Sequence, residues 1–163
     1  RLPHAEVRSG HRRVASFDAR PWLSRFDPSS AQLFCAVIEA GFLIAQADGR
    51  FDRSERAHLH RALLALSDDG IMADDVDAMM SGFTASLSRD GAAARCEAVG
   101  RVLRSHDVAE AGVYLAAGVA CASEGLSQVE LKTLELIARH AGLAFERLST
   151  LVDAIRVDLA AAD

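Results

Sequence analysis

Apolar positions recur along this chain at helical spacing, and no segment alternates apolar and polar residues as a half-buried strand would. The first such stretch opens at Ser29 or Ser30, both good N-cap residues, and runs to about Ala47. Leu33, Val37, Phe42, Leu43 and Ile44 make it too apolar for a helix with one wet face, so it predicts a central helix packed on several sides. Asp48-Gly49 stops it, because glycine readily takes the left-handed conformation that ends helices. A second helix starts at Asp52, whose side chain and that of Glu55 form the two halves of a capping box. Its stripe is Leu59, Ala62, Leu63 and Leu66, and Asp68-Asp69-Gly70 closes it. A third helix is expected from about Asp74 to Leu87, burying Val76, Met79, Met80, Phe83 and Leu87. The fourth runs from about Gly91 to Ser105 on Cys96, Val99, Val102 and Leu103.

The order of signals then repeats. Val108 to Ser123 is a second very apolar helix, stopped by Glu124-Gly125. Ser127 and Glu130 form another capping box, opening a helix that Gly142 closes after Ala141. A last helix is expected from Phe145 to about Leu159. Laying Asp48-Gly49 on Glu124-Gly125 pairs Val37 with Val113 and Ala40 with Ala116. With one deletion after the glycine, Asp52 falls on Ser127, Glu55 on Glu130 and Leu59 on Leu134. The pattern predicts an all-α protein, a single compact bundle of about seven helices spanning residues 29–160. Two pseudo-repeats, at roughly 29–88 and 91–160, would build it.

Composition agrees: half of the 163 residues are apolar, and only three are proline. The formal charge of −5 hides an asymmetry. Residues 1–28 carry six arginines against Glu6, Asp18 and Asp27, and the remainder carries twelve basic and twenty acidic residues. A basic, irregular arm therefore precedes an acidic body, with Trp22 and Phe26 placed to tuck onto it in one turn. The acidic body and the few aromatics argue against nucleic-acid binding, which needs a cationic stripe or stacking rings. No run reaches the roughly 20 apolar residues of a membrane helix, and the start lacks a secretory signal pattern. Cys35, Cys96 and Cys121 are odd in number, form no CxxC pair and lie in apolar stretches. They read as buried thiols in a reducing, cytoplasmic setting.

The chemistry-bearing residues sit at the turns. Asp48, Gly49, Phe51, Asp52 and Glu55 follow the second half of a calcium-binding EF-hand loop, but Ile44 and Gln46 stand where its first ligands belong. Glu55 and His58 have the Glu-x-x-His spacing of di-iron bundles, without the second copy that chemistry requires. His58 and His60 read as surface residues of a polar face. No phosphate loop, nucleophile elbow or zinc-protease motif is present, so no catalytic residue is assigned. The densest acidic run, Asp68-Asp69 with Asp74, Asp75 and Asp77, reads as one helix end and the next helix start in solvent.

One resemblance joins these features. A helix ending in Ala47-Asp48-Gly49, followed by Phe51 and the Asp52/Glu55 box, resembles the TerB family. So does the echo at Glu124-Gly125-Leu126-Ser127 and Glu130, and the likeness covers roughly residues 30–158. It implies a compact helical domain without established enzymatic activity, linked to tellurite resistance or metal stress. Related domains accompany certain membrane-anchored J-domain co-chaperones, which implies a place in the cytoplasm, peripheral to the inner membrane. An acidic surface proposed to bind divalent ions maps here onto Asp48, Asp52, Glu55, Glu124 and Glu130. Two departures concern the second turn: it lacks the residue after its glycine, and Glu124 stands where the family usually has Asp. A metal role therefore falls better on the first turn. The arginine-rich arm matches nothing in the family.

The expected function is a binding or scaffold module that presents acidic turns to a divalent cation (calcium, magnesium, manganese or zinc) or to a cationic protein partner. A metal-dependent enzyme using the same carboxylates is the alternative from another class. A purely structural oligomerising bundle is a third, and it would expose an apolar face around Leu148, Leu151, Val152 and Ile155.

Overall fold

The computed structural model describes residues 31–49, 51, 53, 56, 57, 59–61, 73–121 and 126–161. The arm of residues 1–28, with Trp22 and Phe26, lies outside them, as do Asp68 and Asp69. Among the described residues every regular element is helical and there is no strand. In chain order they are α1 (Ala31–Ala45), α2 (the helical residues within 53–61), α3 (Ala73–Asp90), α4 (Ala92–Ser105), α5 (Ala109–Cys121), α6 (Gln128–His140) and α7 (Phe145–Ala161). The protein is an all-α bundle.

The two most apolar helices form its centre. Residues 36–45 of α1 and 111–118 of α5 are buried without interruption, so each helix is covered on every side over two turns or more. They pack most extensively on each other, and α1 also lies against α4, α6 and α3. Ala40, Ala116 and Ala117, all fully buried, keep the layer between them thin. Outer helices bury one stripe each: Cys96, Val99 and Leu103 from α4, Leu134 and Ile137 from α6, and Leu148, Leu151, Val152 and Ile155 from α7. The apolar side of α7 is thus turned into this chain's own core. Met79 and Leu87 of α3 and Val102 of α4, expected in the core, are half-buried at its margin.

Close contact between α4 and α6 depends on Gly100. A Cβ there would stand 2.5 Å from the His140 Cβ and 2.8 Å from the Ile137 carbonyl oxygen. Two helices end in the same way. After α6, the Gly142 N–H donates to the Arg139 carbonyl and the Leu143 N–H to that of Ala138, with Gly142 at φ 80°. After α4, the Asp107 N–H donates to Arg104 and the Val108 N–H to Leu103, with Asp107 at φ 56°. Both are Schellman closures, the second built on a non-glycine residue.

Candidate functional site

The first acidic turn follows directly from α1. Its end is closed by the Ala47 N–H donating to Ile44, the Gly49 N–H donating to Gln46 and the Gln46 side-chain amide donating to the Leu43 carbonyl. Gly49 takes φ 74°, which bends the chain away and leaves Asp48 at the surface. Two residues on, Phe51 returns to the core: its ring stands edge-on to Phe42 at 5.5 Å, and Phe42 meets Phe83 at 5.8 Å. The turn is therefore pinned from below, with Asp48 and Gly49 exposed. Asp52 and Glu55 lie outside the described residues, and so does Glu124.

Of the second turn, the part from Leu126 onward is among the described residues, and it is a complete capping box. The Glu130 N–H donates to the Ser127 hydroxyl at 3.3 Å, and the Ser127 N–H donates to a Glu130 carboxylate oxygen at 2.6 Å. Glu130 is only 6% exposed, so its carboxylate is committed to the helix start it closes. Among the described residues no group of three His, Cys, Asp or Glu side chains is placed to hold a metal ion.

The structure also assembles a charged cluster that the sequence patterns did not indicate. Glu39, in the middle of α1 and 6% exposed, receives both arms of the Arg95 guanidinium from α4, at 2.7 and 2.8 Å. The third Arg95 nitrogen reaches Asp90 at 3.3 Å, and Arg89 holds the same carboxylate through two bonds of 2.8 and 3.1 Å. The Arg89 hydrogen bonds, helped by Arg95, hold the Asp90 carboxyl below its ordinary range. The hydrogen bonds to Glu39 push the Arg95 guanidinium up. Glu39 does carry a signal in the sequence: it is the single charge in a fifteen-residue helix, and a buried charge demands a partner. Nothing in the sequence says which arginine that is.

Two thiols lie near this carboxylate. Burial, with Glu39 adding to it, pushes the Cys96 thiol up to about 11. Cys35 also titrates high, through partial burial and then Glu39, yet it is exposed and corrects the expectation of three buried cysteines. It shares the exposed flank of α1 with Gln32, three residues before. The side chain of Cys121 lies outside the described residues. His60 departs from its surface reading, since its Nε2 is buried and without a hydrogen-bond partner, while His58 lies outside the described residues.

Elsewhere in the bundle, α5 and α7 are joined by polar contacts. Arg147 grips Glu110 with two bonds of 2.6 and 2.9 Å, and the buried Tyr114 donates its hydroxyl proton to Asp158.

No protein-family model matches the chain, and neither a curated protein nor a solved structure matches it. Among the described residues no helix is long and apolar enough to cross a membrane.

Proposed function

We propose that this domain is a non-catalytic, TerB-like binding module in a metal-stress setting, which presents the first acidic turn to a divalent cation or a cationic protein partner. One contrast supports the reading. Asp48 lies at the surface on a turn braced by Phe51, whereas Glu130, which the sequence aligns with Glu55 rather than with Asp48, is buried and occupied as a cap. An exposed carboxylate on a braced turn suits a hard cation that prefers oxygen ligands, or an arginine or lysine of a partner. Asp52 and Glu55 would complete such a set by their place in the sequence, with the first turn rather than the second as the centre of binding.

Calorimetric titration of chelator-stripped protein with calcium, magnesium, manganese and zinc, run beside Asp48→Asn, tests the cation arm. Saturable heat that the substitution abolishes supports it. Flat heats for all four ions remove it and leave the turn to a protein partner.

A further inference from the structure

We infer that α3 is a flap, hinged at Gly91 and latched by Arg95, that opens as a unit while the rest of the bundle stays closed. This stands independently of the cation reading, because it rests on other residues.

The hinge is a single residue. α3 ends at Asp90 and α4 begins at Ala92, so Gly91 alone turns the chain between them. It does so at φ 84° and ψ 159°, a region open essentially to glycine only. No side chain caps the start of α4 there. Rotation at this residue would re-aim α3 without disturbing a hydrogen-bonded turn.

The flap is lightly held. Among its described side chains only Val76, Met80 and Phe83 are buried, with Met79, Ser86 and Leu87 half-buried, and among the described helices it packs on α4 and α1. Most of the remaining surface faces solvent, including Asp74, Asp75, Asp77, Ser81, Gly82 and Ser88. Segments with few buried apolar contacts are the ones that open below the global unfolding free energy. Lifting α3 would uncover Phe42, which Phe83 now covers at 5.8 Å.

The latch is Arg95. Its fork on Glu39 fixes it to α1, and its remaining nitrogen holds Asp90 at the root of the flap. The same side chain therefore ties the immobile body to the moving part, on either side of Gly91.

Native-state hydrogen exchange of the whole chain, read by mass spectrometry, tests this. Lifted off the bundle, an isolated eighteen-residue helix frays, so peptides within residues 73–90 should exchange through an opening with a smaller urea dependence than the one slow opening shared by α1, α4, α5 and α6. Asp90→Asn should speed exchange in α3 by about two- to fivefold, the range for a partly exposed ion pair, and leave the other helices unchanged. Exchange of α3 in step with the other helices, or an Asp90→Asn effect spread evenly over all of them, overturns the proposal.

Discussion

Arg95 closes two parallel hydrogen bonds on Glu39 across 56 residues of sequence, joining the middle of the central helix to the first turn of α4. Replacing Arg95 alone with methionine orphans a carboxylate that is 6% exposed. The expected loss is about 3 kcal/mol, the low end for a broken buried pair, because Arg95 itself retains some solvent contact. Replacing both residues with methionine should cost much less, since no bare charge is then left inside. Urea unfolding of the two variants separates these outcomes, and equal losses would show that the pair's charge is not what matters.

Two glycines should respond in opposite directions to the same change. Gly100→Ala forces a methyl group against the His140 Cβ and the backbone of α6, and should destabilise by about 1–3 kcal/mol. Gly82→Ala meets nothing within 4 Å on the outer face of α3 and should stabilise by about 0.5–1 kcal/mol. Thermal melts of the pair, read against the parent protein, check both signs.

Asp107 holds a left-handed conformation that glycine adopts without strain, in the same closure that Gly142 makes after α6. Asp107→Gly should therefore raise stability by up to about 1 kcal/mol despite its added freedom in the unfolded chain. The reverse change at the matching position, Gly142→Ala, should lower it by about the same amount. A melting-temperature shift of the wrong sign in either variant contradicts this account.

Cys96 supplies a pH dependence. Its folded thiol titrates at about 11, above the ordinary cysteine value of 9.0, because burial disfavours the thiolate. Between those values the unfolded chain releases the proton that the folded chain keeps, so stability falls as pH rises through the interval. Below it this contribution is fully present. Unfolding free energy followed from pH 8 to 11 should drop more steeply for the parent than for Cys96→Ala. Alkylation in the native state should label Cys35 before Cys96.

Local signals in the sequence carried most of the fold. The Ser127/Glu130 box, the stop at Gly142 and the start of the last helix at Phe145 are all where residue chemistry places them. Each depends on atoms within a few residues of one another. Asp107 escaped notice because nothing in an aspartate marks it for the left-handed region. α3 runs to Asp90, beyond the expected Leu87, because Gly91 ends it and the polar Ser88-Arg89-Asp90 turn carries no apolar period to read. The Glu39–Arg95 pair is the deepest omission. A charge inside an apolar helix announces that a partner exists, but only the packing of α1 on α4 chooses it. For the acidic turns, the sequence supplied residue types and order, and the packing distinguished them: Asp48 faces water and Glu130 does not.

The continuous burial of residues 36–45 has a consequence for synthesis. Of the described helices α1 leaves the ribosome first, and the elements that cover it, α4, α5 and α6, end only at His140. At about 5–20 residues per second, the intervening stretch takes roughly 5–20 s to make. For that interval the nascent chain carries an apolar helix whose cover is incomplete, its buried surface being closed over only in stages as α3, α4, α5 and finally α6 follow.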